Sequence, residues 1–208
     1  PASGSTAIDG IAISAIPADK KAKSLSYLPQ EREIAWPISV EDVVMLGRTP
    51  YLPALQSPSA EDHAVVEQAM IDTDIGSLRA RVVAELSGGE RARVLIARTL
   101  AQDTPVLLAD EPATGLDPAH QIDLMRVLSK RAARGSIVLV SLHELSLAAQ
   151  WCPRLILLSG GSLVADGAPA DVLSESTLRS VYGVSAHIAR TERGLIVQPI
   201  DRVARGSG

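Results

Sequence analysis

The sequence predicts an α/β fold, a parallel sheet covered by helices, and three observations carry that expectation. From Leu86 onward helical and strand patterns alternate, the strand runs are short and mainly apolar, and a clear helix start falls between two of them. Strands buried on both faces of a parallel sheet read as continuous Val, Ile and Leu runs. Residues 106–109 and 137–142 read that way, so both are expected to be buried strands. Residues 91–100 and 119–134 read as helices. Asp117 stands where an N-cap belongs and Pro118 at the first helical position, where its missing N–H costs nothing.

Upstream, residues 5–13 alternate apolar and polar side chains around Asp9-Gly10, a hairpin signal. The polar run Lys20-Lys21-Ala22-Lys23 then precedes an apolar stretch at 25–28, and this part reads as an edge of β structure. After Pro29-Gln30 the pattern turns helical. Residues 40–46 are apolar at helical spacing, and a loop carrying Pro50, Pro53 and Pro58 follows. Ser59, with Asp62 three positions on, predicts a capped helix over 60–71, whose Val65, Val66, Ala69 and Met70 form one packing stripe. Residues 31–100 are thus expected to form a helical subdomain inserted in a single α/β domain over 1–208. Beyond residue 142 the sequence predicts a helix through Gln150, a hairpin over 155–165 around Gly160-Gly161, and a short helix and strands over 173–200.

Composition narrows the function classes. With 46% hydrophobic and 21% charged residues, the 208-residue chain can bury a substantial core. A net charge of −4 argues against a surface built to neutralise phosphate backbones, so nucleic acid is not an expected partner. No apolar run approaches the roughly 20 residues that span a bilayer as a helix. The single cysteine, Cys152, rules out an intramolecular disulfide and reads as a small packing residue.

Leu-Ser-Gly-Gly occurs twice, at 86–89 and 158–161, and context separates the copies. A helical run follows Gly89, so Ser87, Gly88 and Gly89 would open a helix whose N–H groups and dipole suit an anion. An alternating strand pattern follows Gly161, which makes the second copy a turn. Asp110-Glu111 ends an apolar strand. Acidic pairs also end strands merely to solvate a loop, but this position suits one carboxylate for a Mg²⁺ shell and one to take a proton from water. Asp110 is the expected metal-side residue and Glu111 the expected general base. His143 follows the next strand, where parallel sheets form ligand crevices, and could donate to a phosphate. His63, His120 and His187 are read as packed or solvated histidines.

Gln30, then Leu86-Ser87-Gly88-Gly89-Glu90, Asp110-Glu111, Leu116-Asp117 and His143 resemble, in order and approximate spacing, the Q-loop, signature, Walker B, D-loop and switch histidine of ATP-binding-cassette ATPases. The resemblance implies a P-loop-NTPase-like core with a helical subdomain and a sandwich of two copies, each nucleotide lying between one subunit's Walker A and the other's signature. It implies ATP and Mg²⁺ as cofactors. Glu111 and His143 would be catalytic, Leu86, Ser87, Gly88, Gly89, Glu90, Asp110, Asp117 and Gln30 would face nucleotide, and Asp110 and Gln30 would lie on the metal side. The family's Gly-x-x-x-x-Gly-Lys-Ser/Thr loop does not occur in the 208 residues. The expectation is that the family's first strand, P-loop and following helix are missing from this chain.

Tyr27-Leu28-Pro29-Gln30, the stretch at 40–51 with its Gly47-Arg48-Thr49-Pro50, and Ala60-Glu61-Asp62 resemble importers of iron chelates, haem and cobalamin. That branch implies an ATPase subunit homodimer, peripheral on the cytoplasmic face of the inner membrane, that meets membrane permease subunits and, through them, a substrate-binding protein. The competing readings are a non-transport cassette ATPase, and a catalytically inert piece able only to complement an intact subunit.

Overall fold

Asp9 and Gly10 take φ of 50° and 79°, and these two left-handed residues fold Ala7–Ile8 (β1) back on Ile11–Ala12 (β2) in the expected hairpin. The computed structural model describes residues 4–30, 37–52, 56–192 and 194–203. Residues 31–36 of the expected helical subdomain, and Pro53, lie outside the described residues. The chain divides into two compact units, Pro1–Ser141 and Leu142–Gly208.

In the first unit the lysine run differs from its expected place beside β structure: Ala18–Ser24 is a helix (α1). Lys and Ala are good helix formers, and Asp19 lies in the first turn while Lys21 and Lys23 lie in the last, which complements the helix dipole at both ends. Leu25–Leu28 (β3), Val106–Asp110 (β4) and Ile137–Ser141 (β5) form a parallel sheet in the order β3-β4-β5. Alternation across it is clear: Ser26, Leu28, Leu107 and Ala109 are buried on one face.

The other face corrects one expectation. β5 is not buried, since Ile137 is 65% and Leu139 56% exposed, and Tyr27, in register with Leu108 and Leu139, is 55% exposed. Continuous apolarity predicts burial on both faces, whereas β5, at one edge of the described sheet, has one face open to solvent.

Three helices pack together beside this sheet: Val40–Met45 (α2), Ala60–Asp72 (α3) and Gly88–Ala101 (α4). Ser59 caps α3 in a full capping box with Asp62, as the spacing predicts. Val66, Ala69 and Met70 are buried and Val65 is half-buried. Between α2 and α3 the proline stretch is not all loop, because Leu46–Tyr51 forms a 3₁₀ helix containing Pro50. It lies against α4 so closely that a Cβ on Gly47 would collide with the Arg98 carbonyl oxygen. We expect Gly47→Ala to lower the midpoint of thermal unfolding, with a loss of about 1–3 kcal/mol for the displaced backbone; calorimetry of the variant checks it. Pro118–Ala133 (α5) follows Asp117 as expected.

In the second unit, Leu145–Trp151 (α6) packs on Gly194–Arg202, the last strand. Leu155–Ser159 (β6) and Ser162–Gly167 (β7) form the hairpin anticipated around Gly160 and Gly161, whose φ of 56° and 79° make the second Leu-Ser-Gly-Gly a turn. Pro169–Val172 (α7) and Glu175–Thr177 (α8) lead through a π turn at Leu178–Tyr182 to Val184–Thr191 (β8) and Gly194–Arg202 (β9), an antiparallel pair. Its core gathers Ala149, Leu157, Val172, Leu178, Leu195 and Val197. Among the described residues no helix is long and apolar enough to cross a membrane.

Candidate active site

β4 ends in the two carboxylates because its apolar run stops at Ala109, and the chain then turns sharply. Glu111 takes φ of 45°, left-handed backbone that costs an ordinary side chain about 1–2 kcal/mol. Such a position persists only where its surroundings hold it. The Glu111 N–H donates to Ser141 Oγ at 2.9 Å, and Thr114 N–H closes the turn onto the Glu111 carbonyl at 3.2 Å.

The Glu111 carboxylate is gripped from two sides. Gln30 Nε2, 81 residues earlier, donates to Oε2 at 3.0 Å, and the Thr114 hydroxyl donates to the same oxygen at 3.3 Å. The sheet makes the first contact possible, because β3 lies beside β4 in parallel register and Gln30 follows the end of β3 as Glu111 follows the end of β4. Two of the sequence-selected residues are thus brought into direct contact at the carboxyl end of the sheet. Gln30 spends its amide N–H on the Glu111 carboxylate in this arrangement.

Asp110 lies in register with Ser141, whose hydroxyl donates to Asp110 Oδ1 at 2.5 Å. Ser141 was missed in the sequence. The signal available was a single polar residue closing the apolar run of β5, two positions before His143. His143 itself is exposed, in the bend between the end of β5 and α6.

The 86–90 segment is built by its own helix. Leu86 is 6% exposed and anchors the turn, while Ser87 is the N-cap of α4. Ser87 Oγ accepts the Glu90 N–H at 3.3 Å, and the Glu90 carboxylate accepts the Ser87 N–H at 2.8 Å. That backbone hydrogen bond, with the Ser87 hydroxyl contact and the nearby Arg81, holds the Glu90 carboxyl below its usual range. Gly88 is exposed, and a Cβ there would meet nothing within 4 Å. Asp117 caps α5 by accepting the His120 N–H at 3.0 Å, and its second oxygen lies 2.6 Å from His120 Nδ1. Those bonds to His120 lower the Asp117 carboxyl. His120 is therefore paired with an acid.

The sequence pattern described as ABC transporter matches residues 1–114, more than half of the chain. The chain belongs to the ABC transporter family. It is 40% identical over 196 residues to the hemin import ATP-binding protein HmuV of Bordetella avium, a match covering 90% of this chain and 74% of that protein. The achromobactin transport ATP-binding protein CbrD of Dickeya dadantii is 42% identical over 170 residues, covering 80% of this chain and 62% of the relative. Among solved structures, an inward-facing putative metal-chelate type ABC transporter superposes with a TM-score of 0.74 at 24% identity, over 86% of this chain and 72% of that one. The cbiO1 protein of Clostridium perfringens, part of the cbiONQ transporter complex, gives 0.70 at 25% identity, over 86% of this chain and 71% of its own.

Among the described residues no group of three or more His, Cys, Asp or Glu could hold a metal ion. Asp110 is a single hard oxygen donor, which fits Mg²⁺, an ion that takes one or two carboxylates and completes its shell with water and nucleotide phosphates.

Proposed function

We propose that this chain is the ATP-hydrolysing subunit of an importer for an iron chelate of the haem or siderophore type, with cobalamin the third candidate cargo. The observation that carries the reading is the meeting of Gln30 with Glu111 at the carboxyl end of a parallel sheet, in a chain 40% identical to a hemin import ATP-binding protein over most of its length.

In this reading Glu111 takes the proton of the attacking water, and Gln30 and Thr114 orient its carboxylate. Asp110 and Gln30 hold the cation side. Mg²⁺, when bound, neutralises charge developing on the phosphates. Ser87, Gly88 and Gly89 present the exposed amino end of α4 to the nucleotide of a second copy, where unpaired N–H groups and the helix dipole favour phosphate. Leu86 and Glu90 hold that end in shape, and Asp117 fixes the start of α5. His143 donates to the terminal phosphate. The working form is a homodimer seated peripherally on the cytoplasmic side of permease subunits, with the substrate-binding protein acting across the membrane.

The test is ATP hydrolysis by the assembled transporter in vesicles, with its binding protein loaded in turn with haem, a ferric siderophore or cobalamin. We expect one chelate class to stimulate hydrolysis and to accumulate in an ATP-dependent manner. Hydrolysis indifferent to all three, joined to salt-sensitive binding of nucleic acid, would overturn the importer reading in favour of a non-transport cassette ATPase.

A further inference from the structure

We infer that Ser141 is a positioning residue of the hydrolytic site, a single hydroxyl that couples the metal-side carboxylate to the backbone of the general base; the inference rests on the ATPase reading above. The geometry is a three-member relay across two strands. Glu111 N–H donates to Ser141 Oγ at 2.9 Å, and Ser141 O–H donates to Asp110 Oδ1 at 2.5 Å. Donating to a carboxylate polarises the hydroxyl and strengthens it as an acceptor, so the two bonds reinforce each other.

Three features make this contact specific. Ser141 is the residue paired with Asp110 in the β4–β5 register, so the sheet itself delivers the hydroxyl to the carboxylate. The N–H that it receives belongs to the residue whose backbone is left-handed, and such a position needs an external restraint. With one Asp110 oxygen turned to Ser141, the other has no hydrogen-bond or ion-pair partner among the described residues. That arrangement aims one oxygen of a lone carboxylate, the donor set that suits a hydrated cation. Ser141 touches neither water nor phosphate in this scheme and acts through Asp110 and Glu111. Partners that orient metal ligands typically govern 10–100-fold in metal affinity or activity.

The variants Ser141→Thr and Ser141→Val separate hydroxyl from shape, since both are β-branched residues that suit an edge strand. In the assembled transporter, Ser141→Val is expected to lower kcat about 10–100-fold. The apparent KM for ATP should stay within about twofold, because nucleotide affinity rests on other contacts. A second readout needs no turnover: Mn²⁺ titrated into the nucleotide-loaded assembly and followed by electron paramagnetic resonance should bind about 10-fold more weakly in Ser141→Val. Ser141→Thr should recover most of both quantities. Equal kcat and equal Mn²⁺ affinity in the two variants would overturn the role given to the hydroxyl, whether both stay high or both fall. An unsubstituted assembly that fails to hydrolyse ATP would instead sink the ATPase reading, and the Mn²⁺ comparison would still decide for or against Ser141.

Discussion

Glu111→Gln is expected to reduce ATP turnover by the assembled transporter by about 10²- to 10⁴-fold, the range a positioned general base supplies. The replacement is nearly isosteric, and the amide oxygen can still accept the hydrogen bonds that Gln30 and Thr114 now give to Oε2. The backbone turn is held separately, through the Glu111 N–H and Ser141. What is lost is the capacity to take a proton from water. Nucleotide binding and closure of the dimer should therefore persist while hydrolysis nearly stops, a split seen by comparing single-turnover kinetics with equilibrium nucleotide binding. Turnover unchanged in Glu111→Gln would remove the general base from Glu111.

The second large effect belongs to Arg48, a residue of the Gly-Arg-x-Pro stretch that marks the resemblance to chelate importers. The structure buries it to 6% exposure. Its Nε donates to Asp62 at 2.8 Å, its Nη1 to the Ala101 carbonyl at 3.0 Å, and its guanidinium lies 4.1 Å from the centre of the Tyr51 ring. One side chain thereby ties the 3₁₀ segment to α3 and to the end of α4. Arg48→Ala should cost about 3–5 kcal/mol, because it leaves the buried Asp62 carboxylate without its counter-charge. Arg48→Lys should recover only part, since a point charge cannot make the forked contacts and stack on Tyr51 together. Denaturant unfolding of the three proteins measures the series.

The same pair sets an acid limit on stability. Asp62 is lowered from 3.8 to about 2, first by the Ser59 hydroxyl and then by Arg48. A carboxyl depressed in the folded state stabilises above its unfolded pKa, and that contribution drains away as pH falls through the folded value. Unfolding free energy should thus fall between about pH 4 and pH 2. In Arg48→Ala the fall should be shallower but present, because the Ser59 contact remains.

Local rules carried much of this protein. The caps at Ser59, Ser87 and Asp117, and the hairpin turns at Asp9-Gly10 and Gly160-Gly161, depend on residues within four positions of one another. A linear reading finds them for that reason. The order of Gln30, the 86–90 segment, Asp110-Glu111 and Leu116-Asp117 was equally legible, and it pointed to the family whose pattern matches residues 1–114. The α1 helix was not legible, because a short polar run carries no apolar periodicity to mark it as helical.

Tertiary structure decided what depends on pairs distant in sequence. Exposure of Ile137 and Leu139 follows from the open sheet face that they share with Tyr27, which apolarity alone cannot report. Burial of Arg48 follows from its meeting with Asp62 and Ala101, and its charge in the sequence points to the surface. Ser141 gains its meaning only from register, which sets it beside Asp110 across 31 positions of chain. Sequence determined which residues could carry the chemistry, because side-chain type and local spacing are written in it. Only the packed sheet decided which of them touch, because register and edge position arise from long-range pairing.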